Sequence, residues 1–402
     1  MTKRISRREF LELSLTTLLS ACTPKVATPA PTPTADLSAT QTRLADTTPR
    51  VYTPEDPGIL YTGRIDFTDP RQPKFSAPGV YIRARFRGTG AAVMLEDEFK
   101  WGTNRNYYDA VIDDGSAVKI APEEGVTRYE VAAGLANAEH TLTLVKRTEA
   151  SIGWTKFQGF EFAGEILPAP ARPARRMEFV GDSITAGAGI EADNNSPECQ
   201  ADGWGQPYNN ARLAYGSVLA RSLGADCHIS AVSGIGLVRN YSFRYDARPM
   251  PEVYDLLYFE QTQSPKWDTG LFVPDVVVTA LGTNDFSPGD SERESMDVDA
   301  FAAKYVEFIK QLRSSYPQAE IFVVSSPMLG DHWPNPADTF ATDQKNAITK
   351  TVDALNADGD SKVHKYFSTP VVGIGCGTHP NADQQAMMAM QLQSAIRPVM
   401  GW

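Results

Sequence analysis

In Met177-Glu178-Phe179-Val180-Gly181-Asp182-Ser183-Ile184-Thr185-Ala186-Gly187, the apolar stretch over 177–180 reads as a buried strand, and Ser183 lies in the turn just beyond it. A serine in a sharp turn at the end of a parallel strand holds its hydroxyl clear of the sheet. It can also place its own backbone N–H where a developing oxyanion would sit. Apolar runs of strand length follow at 227–232, 276–281, 321–324 and 363–367, with helical patterns between them. In one of these, Phe301, Tyr305, Phe308, Ile309 and Leu312 fall on one face behind Asp297 or Asp299 as a cap. Strands alternating with helices predict an α/β fold over residues 176–402: a doubly wound, parallel, five-stranded sheet flanked by helices. No internal repeat is visible.

Upstream the grammar differs. Val80-Tyr81-Ile82-Arg83-Ala84-Arg85-Phe86 alternates, and Ala91-Ala92-Val93-Met94-Leu95 follows what reads as a Gly88-Thr89-Gly90 turn. Tyr107-Tyr108-Asp109-Ala110-Val111-Ile112-Asp113 leads into Asp114-Gly115, a hairpin signal. His140-Thr141-Leu142-Thr143-Leu144-Val145 and Phe157-Gln158-Gly159-Phe160-Glu161-Phe162 add two more. Roughly eight short strands without a helix predict an all-β sandwich of jelly-roll type over residues 51–166, with residues 167–175, rich in proline, as a stiff linker.

The 402-residue chain is long enough for two cores, and its 42% hydrophobic and 22% charged residues are those of a globular protein. A net charge of −11 and a pI near 5.1 argue against a nucleic-acid partner, whose phosphates would be repelled. No apolar run reaches the ~18 residues a membrane span needs. The N-terminus reads as an address. Lys3, Arg4, Arg7 and Arg8 precede a short apolar stretch, and Ser6-Arg7-Arg8-Glu9-Phe10-Leu11 resembles a twin-arginine export signal. Leu19-Ser20-Ala21-Cys22 resembles a lipobox, so residues 1–21 are expected to be a signal peptide and Cys22 the lipidated anchor, the chain's one tie to a membrane. The Pro/Thr/Ala-rich stretch that completes residues 22–50 cannot bury a core and is expected to be a disordered tether. Of the three remaining cysteines, Cys227 lies in an apolar run and is expected to be a buried thiol. Cys199 and Cys376 flank the loops of the candidate site and are expected to pair. Their spacing matches no zinc site, and no cofactor is expected.

In a parallel sheet, reactive groups gather at the carboxyl ends of the strands. Four candidates stand there. Ser183 follows the first strand and Ser233-Gly234-Ile235-Gly236 the second. Gly282-Thr283-Asn284-Asp285 follows the third, and Gly375-Cys376-Gly377-Thr378-His379-Pro380 the fifth. Serine needs a base within hydrogen-bond reach to act as a nucleophile, which His379 can supply. The oxyanion of acyl transfer needs several donors, for which the N–H groups of Ser183 and Gly234 and the Asn284 amide are candidates. His332, in Gly330-Asp331-His332-Trp333-Pro334 after the fourth strand, is a rival base. Trp333 and Trp204 are candidates for stacking on a sugar ring, or for ordinary packing. Asn356-Ala357-Asp358-Gly359-Asp360 lacks the flanking ligands of a calcium loop and reads as a helix-ending turn.

Gly181-Asp182-Ser183, Gly234, Gly282-Thr283-Asn284-Asp285 and His379 resemble the four blocks of the SGNH (GDSL) hydrolase superfamily. The upstream sandwich narrows the resemblance to carbohydrate esterase family 2, acetyl xylan esterases and polysaccharide deacetylases with a jelly roll before the SGNH domain. Further likeness lies in Arg85-Phe86-Arg87-Gly88-Thr89, in the stretch from His140 through Lys146-Arg147-Thr148-Glu149, in Ser233-Gly234-Ile235-Gly236-Leu237-Val238-Arg239-Asn240 and in His379-Pro380-Asn381. The resemblance implies a serine esterase that deacetylates polysaccharides such as xylan or glucomannan through an acetyl-enzyme, and a monomer is expected. An O-acetyltransferase or a non-catalytic sugar-binding lipoprotein are the alternatives. One departure stands out. The superfamily usually carries an aspartate two or three residues before the histidine, where this chain has Gly377 and Cys376. A Ser–His dyad is therefore expected, with a backbone carbonyl or a distant acid orienting His379. Asp331 and Asp383 are the nearest acids to the motifs.

Overall fold

The computed structural model describes residues 47–402, apart from Thr103, Glu198, residues 200–205, Tyr245 and residues 289–292. The expected signal peptide, Cys22, the tether as far as residue 46, and Trp204 lie outside the described residues.

Nine antiparallel strands form the N-terminal region: β1 (Pro49–Tyr52), β2 (Ile59–Thr62), β3 (Lys74–Phe75), β4 (Tyr81–Asp97), β5 (Tyr108–Ile112), β6 (Ala117–Ile120), β7 (Arg128–Ala132), β8 (Ala138–Lys146) and β9 (Thr155–Ile166). The expected turn at Gly88-Thr89-Gly90 is not there. The two runs that flank it are one 17-residue strand, β4, with a register shift between Gly88 and Ala91. Its first half pairs with β2 and β8 and its second with β7, while β9 runs along both sides of the register shift, so the irregularity at the glycines interrupts one strand without ending it. A bulge and a turn draw on the same residues, which is why the sequence signal misleads. The hairpin after β5 turns one residue earlier than expected. Asp113 and Asp114 take the left-handed conformation (φ 50° and 58°), and the Gly115 N–H closes on the Ile112 carbonyl at 2.8 Å. Strand β1 starts at Pro49, two residues before the expected boundary of the sandwich, and pairs with β9.

The five strands that follow are β10 (Arg175–Gly181), β11 (Ala225–Ala231), β12 (Val276–Ala280), β13 (Glu320–Val324) and β14 (Val363–Tyr366). They pair in parallel in the order β11-β10-β12-β13-β14, so the direction of winding reverses between β10 and β12. Alternation sends neighbouring residues to opposite faces. Val277 joins the helices Val298–Ser315 and Phe340–Ala357, while Val276 and Val278 join the helices Tyr215–Ser222 and Ala382–Met400. Side-chain caps start two of these helices. Asp297 accepts from the Ala300 N–H, and Asn381 forms a reciprocal box with Gln384. No helix among the described residues is long and apolar enough to cross a membrane.

The two regions share a core. The cluster that holds Phe86, Leu142 and Phe160 of the sandwich continues through Val232, Tyr254 and Val277 of the α/β region. The linker is not a free spacer either, because the Leu167 N–H bonds to the Arg85 carbonyl and Arg172 reaches the Tyr61 carbonyl and Asp226. Arg64 of the sandwich is fully buried beneath the sheet. It donates to the Tyr254 and Leu256 carbonyls at 2.7 and 2.8 Å and lies 3.7 Å from the Glu178 carboxylate. Glu178 accepts from the Ser230 and Tyr254 hydroxyls, so every member of this buried cluster is partnered.

Candidate active site

Ser183 opens the four-residue helix Ser183–Ala186 at the end of β10 and is 9% exposed. Asp182 caps that helix, its carboxylate accepting from the Ile184 N–H at 3.0 Å. Burial pushes the Asp182 carboxyl up to about 7, against the Ile184 N–H, which holds it down.

His379 arrives from the loop between β14 and the last helix. Its Nε2 stands 2.8 Å from Ser183 Oγ, and its Nδ1 3.1 Å from the Cys376 carbonyl oxygen. A carbonyl can only accept, so Nδ1 carries the proton and Nε2 presents its lone pair to the serine hydroxyl. Burial holds the imidazole below its usual pKa, and the carbonyls of Cys376 and Gly377 oppose that shift without reversing it. Where the superfamily usually carries an aspartate, the main-chain carbonyl of Cys376 is the group that meets the ring. No carboxylate touches the ring among the described residues. Asp331 is engaged by the Thr342 N–H and hydroxyl, and Asp383 is exposed in the first turn of the last helix.

The loop under His379 is held at many points. The Cys376 N–H bonds to the Gly189 carbonyl at 2.9 Å, the Gly375 N–H to the His379 carbonyl at 2.8 Å, and the Asn194 N–H to the Ile374 carbonyl at 2.8 Å. Cys376 is joined to Cys199 by a disulfide, and Cys227 is a buried free thiol whose pKa burial raises to about 12. Gly189 (φ 61°) packs so closely that a Cβ there would lie 2.3 Å from the Cys376 carbonyl oxygen, which is why a glycine stands opposite that carbonyl. Thr378 holds a left-handed φ of 60°, an unfavourable place for a β-branched residue that only a well-tied loop maintains.

On the other side of Ser183, Gly234 turns the chain with φ 74°. The N–H groups of Ser183 and Gly234 donate to no protein acceptor among the described residues. Asn284, 7% exposed, uses one amide hydrogen on the Ile235 carbonyl at 2.8 Å, and the second meets no acceptor among the described residues. Two carboxylates hold this loop. Asp285 accepts from the N–H groups of Leu237, Val238 and Arg239 at 2.7 to 2.9 Å. Glu149, which comes from the sandwich, accepts from the Ser233 N–H at 2.9 Å and from the Ser233 hydroxyl.

The other candidates fall elsewhere. His332 is exposed with φ 65°, and its Nδ1 bonds to the Pro336 carbonyl, so this ring is committed within its own loop. Trp333 is 68% exposed. Asn356-Ala357-Asp358-Gly359-Asp360 ends the helix Phe340–Ala357, with Asp358 paired to Lys310 and Asp360 to Arg313. No group of three His, Cys, Asp or Glu among the described residues is placed to hold a metal ion.

Sequence reasoning expected a backbone carbonyl or a distant acid at His379 without naming Cys376, and gave no role to Asp285 or to Glu149. Every residue has a carbonyl, so no residue type singles out which one is used. Asp285 and Glu149 sat inside quoted motifs, but their partners lie 46 to 48 and 84 residues away in the chain.

Comparison with known proteins agrees with this geometry. Residues 61–170 match the model of the carbohydrate esterase 2 N-terminal domain, and residues 179–387 that of the GDSL-like lipase/acylhydrolase family. The cellulase/esterase CelE of Acetivibrio thermocellus is 34% identical over 355 residues, which are 87% of this chain, although the chain spans only 40% of that protein's length. An acetylxylan esterase / glucomannan deacetylase of Cellvibrio japonicus is 28% identical over 349 residues, covering 86% of this chain and 90% of the relative. The solved structure of a family two carbohydrate esterase from Clostridium thermocellum, in complex with cellohexaose, superposes with a TM-score of 0.76 at 32% identity. It covers 86% of this chain and 100% of that one. With both domain models matched in order, and a solved relative matched along its whole length, the chain belongs to carbohydrate esterase family 2.

Proposed function

We propose that the protein removes O-acetyl groups from polysaccharide hydroxyls through an acetyl-enzyme on Ser183, with His379 as the base. The observation that carries this reading is the 2.8 Å contact between His379 Nε2 and Ser183 Oγ, with Nδ1 fixed by the Cys376 carbonyl. Ser183 Oγ attacks the acetyl carbonyl carbon while Nε2 takes its proton. The carbonyl oxygen becomes an oxyanion held by the Ser183 and Gly234 N–H groups and the second amide hydrogen of Asn284. The tetrahedral intermediate collapses, the C–O bond to the sugar breaks, and the imidazolium returns its proton to the departing sugar oxygen. Water then attacks the acetyl-enzyme, giving its proton to Nε2, and the second collapse releases acetate and restores Ser183.

Acetylated xylan and glucomannan are the substrates that the relatives' names suggest, and the exposed indole of Trp333 offers a face for a sugar ring. The protein is exported and anchored through Cys22, a reading supported by two N-terminal signals in the correct order and by a disulfide of the kind that persists outside the cytosol. The test is acetate release from acetylated xylan and glucomannan by the chain from residue 24. Wild type is expected to release acetate, and Ser183→Ala and His379→Ala to lose ~10⁴-fold or more of kcat. Equal release by wild type and Ser183→Ala would end the acetyl-enzyme reading. Acetyl transfer to a sugar acceptor in preference to water would replace hydrolysis with transferase chemistry.

A further inference from the structure

The contact between Glu149 and Ser233 joins two regions that the sequence presents as separate domains. Glu149 lies just past the end of β8, is 3% exposed, and stands at the tip of a sandwich loop. Both its carboxylate oxygens are used on one residue, Ser233, whose N–H and hydroxyl they receive. Ser233 immediately precedes Gly234, whose N–H is aimed by the same peptide turn. The Gly234 carbonyl accepts the Tyr241 N–H at 2.7 Å, so the peptide is gripped on both sides of the glycine.

Glu149 is itself held in place. Lys146, also buried, donates to the Thr148 and Glu149 carbonyls at 2.8 and 3.0 Å and to Thr148 Oγ1 at 3.3 Å. Thr148 Oγ1 in turn donates to Asn106 at 2.8 Å. Arg147, between them, is paired with Asp109 and Glu191, donates to the Asn209 carbonyl, and accepts the Ala211 N–H at its own carbonyl. Asn209 Oδ1 receives the Gly189 N–H at 2.7 Å, and Gly189 supports Cys376. The four residues 146–149 thus press on the oxyanion loop through Glu149 and on the histidine loop through Arg147.

We infer that Glu149 is a positioning residue of the active site: through Ser233 it sets the direction of the Gly234 N–H toward the oxyanion, which makes the sandwich part of the catalytic machinery. This rests on the esterase reading given above. A buried carboxylate receiving two hydrogen bonds from one residue fixes both the position and the tilt of that residue, which a single contact does not. A donor in an oxyanion hole is effective only when aimed at the oxygen beforehand, so loss of the grip lowers kcat while leaving binding of the ground-state ester almost untouched.

The experiment compares the full chain with Glu149→Ala, Glu149→Gln, Ser233→Ala and the double variant Glu149→Ala/Ser233→Ala, on 4-nitrophenyl acetate and on acetylated xylan. Circular dichroism and melting curves accompany each. Glu149→Ala is expected to lower kcat by ~10–100-fold, with KM changed less than about threefold. Glu149→Gln keeps an acceptor for the Ser233 N–H and is expected to recover most of that loss. Ser233→Ala removes one hydroxyl and is expected to lower kcat a few-fold at an unchanged melting temperature. In the double variant the two losses should combine to less than their product, because both substitutions cut the same contact. Folded Glu149→Ala or Ser233→Ala with kcat within about twofold of an active wild type would overturn the inference alone. Losses in Glu149→Ala and Glu149→Gln that track only the melting temperature would do the same. A wild type inert toward both esters would overturn the esterase reading and this inference with it.

Discussion

The histidine side and the oxyanion side of the site stand on the same edge of one sheet but are held by different chemistry. His379 is oriented by a neutral group, the Cys376 carbonyl, in a loop closed by a disulfide and main-chain hydrogen bonds. The loop around Gly234 is held by two buried carboxylates, Asp285 and Glu149, which together receive four N–H groups and a hydroxyl. Burial raises the pKa of both carboxyls, and the N–H groups they accept from oppose that shift. Several hydrogen bonds converging on one carboxyl suit a loop that must not move. A carbonyl fixes the tautomer and tilt of the imidazole as a carboxylate would, but would offer less to the imidazolium that the proposed mechanism forms. In compensation, a half-buried histidine without an acid partner, its pKa held below the usual value, stays neutral and able to accept that proton to lower pH than a free imidazole.

The comparison can be broken most sharply on the oxyanion side. Asn284→Ala is expected to lower kcat by ~10²–10³-fold in steady-state assays on acetyl esters. Near-normal turnover would reduce Asn284 to a tie for the Ile235 carbonyl and leave the hole to two backbone donors.

On the histidine side, opening the disulfide is the next largest change. Cys199→Ser, or full reduction checked by thiol titration, is expected to cost about 2–4 kcal/mol of stability, read in denaturant melts, and to lower kcat by about tenfold. If kcat survives reduction, hydrogen bonds alone hold the histidine loop.

The smallest effects concern acids. Asp331→Asn and Asp383→Asn are each expected to leave kcat within about twofold, since neither carboxylate touches His379. A loss of several orders of magnitude in folded Asp383→Asn would mean that a carboxylate does complete the site. The pH profile sharpens the same point. Burial favours the neutral ring, so its folded pKa lies below the ordinary 6.5. As pH falls, kcat/KM should therefore hold through 6.5 and decline only below it. An acid limb above 6.5 would indicate an acid partner for the ring.

Much of this was legible in the chain. The five parallel strands, the Asp297 cap and the strand-end placement of Ser183, Gly234, Asn284 and His379 follow from apolar runs and turn residues that are close neighbours in sequence. The glycines of β4 were misread because a bulge inside a strand and a turn between two strands use the same residues, and only cross-strand pairing separates them. Glu178 passed as one polar residue in an apolar strand, whereas the fold buries it beside Arg64 from 114 residues upstream.

By itself, then, the sequence determined the kind of sheet, the groups at its carboxyl edge and the absence of the usual acid before His379. Periodicity and motif spacing are local, and locality is enough for these. Tertiary structure alone decided what orients each group: a carbonyl that any residue could supply, and a glutamate from the other domain. The carbonyl lies only three residues from His379, at 3.1 Å, yet nothing in the residue types marks it out. Glu149 meets Ser233 from 84 residues away, a contact that only the packing of the two regions against each other brings about.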